Sequence, residues 1–539
     1  MKIRLPDVAF VYGEQKQLLY TSSTPDTSSE IKLTFSIQND VLATEVTAEE
    51  TPLCYVVLKW RFHDFEKRSE SVRVLSDAWE RAYGEQEWRG IVPERWMPWY
   101  FLVSNGSDSA SDCKGRHTEG FGVKVRPSSF CLWQYDKSGV TLCMDVRCGA
   151  KGMILGGRTL RASEVIFGDF CDCTAYQSGQ DFCRAMCDDP IFPKKPIYGF
   201  NNWYYAYGKS SSEKILEDAK RLAEYTKGLK NRPYMVIDDG WQPNFNDGPW
   251  DCGHPTLFPD MQALAAKIRE HDVIPGIWIR PWVQKAEYDL PAHWRLDRDK
   301  SYLDPSETEV LDYVRGIVRR IVDWGFDLIK FDYVTYDFFG CWGMENPTYT
   351  VKGANFLAKG SQWSFHDRSK TSAEIILKLY RTLREAAGDA VLIGCNAIGH
   401  LCAGLVELNR TGDDTSGKEW KRTRTMGVNT LAFRSIQNGT FYMADADCVG
   451  LTPNVPWELN QKWMYYLAAS GSPLFISWDS RQDAPEICSA VSQALARGSV
   501  QQDTLVPLDW MENNCPARWM LNGEEKEVDW FGTVVDVPF

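Results

Sequence analysis

The stretch Asp327-Leu328-Ile329-Lys330-Phe331-Asp332-Tyr333 decides how the chain is read. An apolar-rich run of strand character carries one lysine and ends on an acid directly before a loop. A carboxylate at the C-terminal tip of a parallel strand lies on the face where the working groups of (β/α)8 barrels gather. An adjacent lysine holds such a carboxylate ionised, as a nucleophile requires near neutrality. A strand that merely ends in polar loop residues has the same local pattern, so the flanking segments have to decide.

Working outward, short strands alternate with amphipathic helical periods. Strands are predicted at residues 197–204, 234–237 and 274–282, then in the stretch carrying Lys330 and Asp332, and at 391–396, 406–410, 441–447 and 473–478. Helices are predicted from about residue 211 and over 261–271, 306–324, 372–387, 420–436, 457–469 and 484–496. Eight consecutive strands, most with a helix behind them, predict a (β/α)8 TIM barrel over residues 197–500. An open doubly wound sheet is the competing fold, but no glycine-rich phosphate loop opens the first helix.

Ahead of the barrel, residues 1–188 alternate in short β-branched and aromatic runs, as in Lys32-Leu33-Thr34-Phe35-Ser36-Ile37, and predict an N-terminal β-sandwich. The proline-marked residues 189–196 read as a linker. Residues 501–539 hold one strand pair around Asn522-Gly523, a short C-terminal β segment that packs on the barrel or pairs with the N-terminal domain. The fold class expected is therefore multidomain, α/β and β.

At 539 residues the chain is long enough for two or three domains. A net charge of −13 argues against nucleic acid or an anionic membrane surface as partner. No apolar run reaches membrane-spanning length. Residues 1–7 lack the apolar core of a secretory signal, which predicts a cytoplasmic chain; a leader removed before Met1 would make it periplasmic or secreted. The 16 cysteines are scattered, and Cys171, Cys173, Cys183 and Cys187 follow no familiar zinc spacing. With 22 tryptophans and 23 tyrosines the chain is rich in rings that stack on sugars, although such rings also fill cores.

The strand ends, read together, carry the chemistry. They supply Asp238-Asp239-Gly240-Trp241, Lys330-Phe331-Asp332, Cys395-Asn396, Arg410 with Asp413-Asp414, and Asp445-Ala446-Asp447, with Trp203, Trp278 and Trp282 nearby. Helix capping accounts for some of these aspartates, but not for so many strands ending alike. Clustered aspartates also suit Mg²⁺ or Ca²⁺. Lys330 and Arg410 inside the cluster would repel the ion, so neither metal nor cofactor is expected. The same cations suit two carboxylates of differing protonation, the arrangement that breaks a glycosidic bond.

In order along the chain, Asp238-Asp239-Gly240-Trp241, Pro275-Gly276-Ile277-Trp278, Leu303-Asp304-Pro305-Ser306, Ile329-Lys330-Phe331-Asp332, Arg410-Thr411-Gly412-Asp413-Asp414-Thr415, Asp445-Ala446-Asp447 and Gly471-Ser472-Pro473-Leu474 resemble the melibiase-type α-galactosidases of glycoside hydrolase family 36, related to family 27 in clan D. The resemblance covers roughly residues 195–480. It implies a retaining hydrolase that removes terminal α-linked galactose, with Asp332 as nucleophile and Asp414, or Asp413 one residue earlier, as acid/base. Asp238 and Asp239 would then bind the distal hydroxyls, Lys330 and Arg410 those near the reacting centre, and Trp203 and Trp278 the pocket wall. Trp241, Cys395, Asp413 and Asp447 complete the expected binding set. Retention places the two carboxyls roughly 5–6 Å apart.

The chain departs from the family pattern in Cys395-Asn396-Ala397-Ile398-Gly399-His400, which leaves N-acetylgalactosamine as the sugar or transfer to another sugar as alternatives, with a non-catalytic carbohydrate-binding protein a third. It departs again in Arg280-Pro281-Trp282, and in an aromatic insertion over about residues 336–370 that would wall the leaving-group site. A small carbohydrate is the expected partner. The family is often oligomeric, which leaves a homo-oligomer open.

Overall fold

The computed structural model describes residues 2–14, 17–22, 30–63, 71–105, 113–285, 288–297, 299–339, 363–503 and 505–532. Two six-stranded antiparallel sheets come first. In one, Val8–Gly13 and Gly139–Asp145 flank Leu53–Arg61; in the other, Val41–Thr47 and His117–Val123 flank Thr159–Cys171. Leu53–Arg61 alternates buried with half-buried positions, as a strand with one face on a core should. Between the sheets, Trp60 meets Phe167 edge-on at 5.4 Å, and Phe101 meets Trp133 at 6.0 Å.

A helix, Ala175–Met186, closes this region where the sequence reads as continuing β structure. The Thr174 side chain caps it by accepting from the Gln177 amide (3.0 Å). Its Phe182 lies so close to Gly120 and Gly168 that a Cβ at either would stand 2.8 Å from the ring. Two strand glycines thus make room for a helix that the β-rich context concealed.

The second part is the expected barrel. Parallel strands follow in chain order from Tyr198–Asn201 through Tyr234–Ile237, Ile274–Ile279, Leu328–Phe331, Val391–Gly394 and Leu408–Arg410 to Met443–Asp445, and Leu474–Trp478 pairs back with the first. The seventh strand is in two pieces. Met443–Asp445 pairs with the sixth strand and Val449–Leu451 with the eighth, with Asp447 at φ 81° between them. The chain itself therefore closes the ring through residues 446–448.

The surrounding helices follow the expected periods. Thr308–Asp323 buries Val310, Leu311, Val314, Ile317, Val318 and Ile321 along one stripe. Three expectations need correction. The first strand stops at Asn201 because a short helix, Trp203–Ala206, begins there, and the third stops at Ile279. The single helix expected over 420–436 is broken into short pieces around a π turn at Thr423–Val428. That turn lies against the first part of the chain, where a Cβ on Gly84 would meet the Thr425 carbonyl at 2.9 Å.

The C-terminal strands Arg518–Leu521 and Glu524–Glu527 turn through Asn522 and Gly523, both at positive φ as an Asn-Gly hairpin demands. With Val506–Pro507 they form their own three-stranded sheet rather than extending either sandwich sheet. Trp510 packs at once on Trp88 and Tyr176 of the first part and Phe433 of the barrel, so the segment ties the two together. Among the described residues no helix is long and apolar enough to cross a membrane, and no disulfide forms.

Candidate active site

Asp332 directly follows the fourth strand, its amide continuing the ladder by donating to the Ile279 carbonyl (3.1 Å). Its Oδ1 accepts from the Tyr333 amide (2.7 Å) and Asn396 Nδ2 (2.7 Å), and its Oδ2 from Trp278 Nε1 (3.0 Å). Tyr333 at φ 67° and Asn396 at φ 46° both occupy the left-handed region, so the backbone is bent on either side to aim donors at this carboxylate. Burial alone would raise the Asp332 pKa. The charges of Lys330 and Arg81 and the bonds from Trp278 and Asn396 outweigh it, and the carboxyl sits below its ordinary value.

Lys330 Nζ lies 2.8 Å from Asp238 Oδ2, which also accepts from Asn201 Nδ2 (2.8 Å). Asp239 accepts from Gln242 Nε2 (2.5 Å) and the Asn246 amide (3.1 Å) through Oδ1. Burial dominates here, the charges of Asp238 and Asp332 add to it, and the Asp239 carboxyl is pushed up to about 6.

From the sixth strand, Arg410 reaches Asp414 Oδ1 (3.1 Å) and Asp447 Oδ1 (2.9 Å). The other oxygen of Asp447 accepts from the Thr415 amide (2.7 Å), the Thr415 hydroxyl (2.9 Å) and the Tyr204 hydroxyl. Asp447 thus orients Arg410 while itself lining the cavity. Asp414 keeps about a third of its side-chain surface exposed. Burial raises its pKa, but Arg81, Arg410 and Lys330 together hold it down at about 2.

These groups share one cavity with Trp203, Trp278, Tyr333 and Asn396. Three expected residues lie outside it. Trp241 is fully buried behind the wall and donates Nε1 to the Trp278 carbonyl (2.8 Å). The Cys395 side chain is buried too, and burial pushes its thiol well up. Asp413 turns away, held by Arg81 (3.0 Å) and Arg422 (2.6 Å). Of the two adjacent acids, Asp414 is therefore the one facing the cavity.

No protein-family model matches the chain. Solved structures do match. An α-galactosidase from Thermus thermophilus, in complex with p-nitrophenyl α-D-galactopyranoside, is 16% identical with a TM-score of 0.58 over 92% of this chain and 99% of that one. A family 36 α-galactosidase from Geobacillus stearothermophilus, in complex with stachyose, is 15% identical with a TM-score of 0.61 over 96% of this chain and 78% of that one. The fold is that of the family 36 α-galactosidases. A third such fold, the α-galactosidase from Lactobacillus brevis, is 14% identical with a TM-score of 0.56 over 92% and 69% of the two chains.

On that family 36 fold, the cavity gains Asn201, Tyr204, Tyr333, Asn396, Cys448 and Arg81 beyond the expected set. The first five flank expected positions and were open to a reading of the strand ends. Arg81 comes from the sandwich and has no local signal. Arg280, the other departure, forms an ion pair with Asp337, donates to Asn246 Oδ1 (2.7 Å), and lies 4.3 Å over the Tyr333 ring. It braces the loop after Asp332 rather than facing the cavity. Most of the insertion expected to wall the leaving-group site, residues 340–362, lies outside the described residues.

Proposed function

We propose that the protein is a retaining, exo-acting α-galactosidase. One observation carries the reading: Asp332 and Asp414, just after the fourth and sixth strands, face one cavity with cations paired to both sides of it. Asp332, ionised and fixed by three donors, attacks C1 of the bound galactoside. The C1–O bond to the leaving group breaks, its electron pair passes to that oxygen, and Asp414 supplies the proton. Water then gives a proton to the Asp414 carboxylate and attacks C1, and the ester bond to Asp332 breaks. Two inversions return the α configuration. Asp238 and Asp239 hold the sugar's distal hydroxyls, including the axial O4 of galactose, and Lys330 and Arg410 those near the reacting centre, against the rings of Trp203 and Trp278.

The bound sugars of the solved neighbours support galactose over other hexoses, stachyose and p-nitrophenyl α-galactoside being ligands of those proteins. α-N-acetylgalactosaminidase and galactosyl transfer use the same carboxylates and differ in what meets the 2-position and the second-step acceptor.

A panel of aryl α-glycosides, assayed with and without acceptor sugars, tests the reading. Turnover confined to α-galactosides, without transfer products, is expected. Asp332→Asn should abolish it. Asp414→Asn should lose on the order of 10²–10⁴-fold on poor leaving groups and far less on nitrophenol. Full activity in Asp332→Asn would refute the assignment.

A further inference from the structure

We propose that Arg81, carried by the N-terminal sandwich, is a positioning residue for the barrel's reaction: its guanidinium bridges Asp413 and Asp414, fixes the Asp414 carboxylate at the cavity wall, and makes the sandwich part of the active site. The inference rests on the reading of Asp332 and Asp414 as nucleophile and acid/base. Arg81 lies 3.1 Å from Asp414 Oδ1 and 3.0 Å from Asp413 Oδ1 and lines the cavity.

Its placement is built rather than incidental. The Ala82 amide donates to the Thr411 carbonyl (2.8 Å), and the Asp413 amide donates back to Ala82 (2.7 Å), a short parallel bridge next to the acid pair. Arg434 Nη1 holds the Glu80 carbonyl (3.1 Å), and Asn429 Nδ2 holds that of Gln86 (2.9 Å). The segment is thus pinned to the barrel on both sides of Arg81.

The consequence is electrostatic. Besides Arg81, the charged groups facing Asp414 are Arg410 from the sixth strand and Lys330 from the fourth, with the hydroxyls of Tyr204, Tyr207 and Tyr333 around them. Asp413 and Asp447 are the neighbouring acids, each already paired with an arginine. Arg81 is foremost among the cations holding Asp414 ionised, and it also lowers Asp332. An ionised Asp414 suits the second step, which needs a base, and opposes the first, which needs a proton donor. Arg81 therefore sets how strongly the enzyme discriminates against poor leaving groups.

The test compares Arg81→Met, Arg81→Lys and Asp413→Asn with wild type in the full chain. The pH profiles of kcat/KM are recorded on 4-nitrophenyl and methyl α-galactosides, which need little and much proton donation respectively. Arg81→Met should move the bell to higher pH and raise the methyl-to-nitrophenyl rate ratio at pH 7 by up to about tenfold for each unit by which the Asp414 pKa rises. Arg81→Lys, which keeps the charge, should return both toward wild type. Asp413→Asn removes a like charge and leaves Arg81 to Asp414 alone, so it should move the bell the opposite way. This variant decides the matter if Arg81→Met does not fold. A folded Arg81→Met with unmoved limbs and ratio, or an unmoved Asp413→Asn, overturns the inference. Labelling of wild-type Asp332 by a 2-deoxy-2-fluoro-α-galactosyl fluoride separates the two levels. Wild type that is labelled and turns over while the variants keep its profile refutes only the role of Arg81. Wild type that does neither refutes the functional reading and the inference with it.

Discussion

Asn396 offers a measurable handle on Asp332, the proposed nucleophile. Its Nδ2 donates to Asp332 Oδ1 at 2.7 Å in a buried site, while its backbone sits at φ 46°. A hydrogen bond to a charged group contributes about 1.5–3 kcal/mol, equivalent to a shift of roughly 1–2 units in the acceptor's pKa. Asn396→Gly removes the amide without backbone strain, since glycine adopts positive φ freely. Asn396→Ala removes it too but keeps a Cβ, which in the left-handed region costs about 1–2 kcal/mol relative to glycine. Asp332 must be ionised to attack, so the acid limb of kcat/KM should rise by up to about 1–2 units in both variants. At pH 7 Asp332 stays ionised either way, so the rate lost there measures orientation alone. The stability linkage has the same sign. A depressed carboxyl contributes stability that is present above its unfolded pKa, about 3.9, and is lost as pH falls through the folded value. Both variants should therefore lose less stability than wild type on acidification below pH 4. At pH 7, Asn396→Ala should unfold at lower urea than Asn396→Gly, with an equal acid limb. An acid limb within a few tenths of wild type in both variants would refute the claim that this amide keeps Asp332 ionised.

Two further perturbations probe the frame. Lys330→Met strips Asp238 of its cation at 2.8 Å; breaking such a buried pair costs about 3–5 kcal/mol, and urea unfolding should show most of it restored in Lys330→Met with Asp238→Asn. The acid limb should rise in the single variant, because Lys330 is the leading cation that lowers Asp332. Gly412→Ala would drive a Cβ into the Thr430 hydroxyl beside Asp413 and Asp414, so activity should fall more than far-ultraviolet circular dichroism changes, and Thr430→Ser should leave it unrelieved because the overlapping oxygen persists.

The barrel was legible because its strands are short apolar runs whose polar ends repeat in chain order. The acid at Asp332 and the arginine at Arg410 could be placed on one rim by counting units. Counting cannot say which way a loop side chain turns. Asp413 and Asp414 are chemically alike in sequence, and only the bridge from Ala82 to residues 411–413, with the pairing to Arg81 and Arg422, shows that Asp413 is turned away from the cavity. Asp447 is expected as a sugar ligand because it ends a strand among other acids; it lines the cavity, and the break in the seventh strand also aims it at Arg410 and Thr415. Trp241 and Cys395 were expected at the rim because they follow strands; both turn into the core instead.

The sandwich residue Arg81 marks a different limit. It meets Asp414 across 333 positions of sequence, and nothing near it resembles a catalytic motif. Its recognition depends on how two separately legible units dock, and docking is set by dispersed contacts: Trp510 against Trp88 and Phe433, Trp99 of the sandwich against His400, and Gly84 against the Thr425 carbonyl. None of these contacts has a periodic signature. On the proposed reading, a barrel of this kind displays its nucleophile and acid/base at its own strand ends while the charge that tunes the acid/base is supplied from outside. Removing the sandwich, on this argument, would alter the pH dependence of the chemistry as well as stability. The barrel's dependence on the sandwich is then electrostatic as much as structural: Arg410 still pairs Asp414 without Arg81, but one guanidinium shared with Asp447 holds that carboxylate ionised less firmly than two.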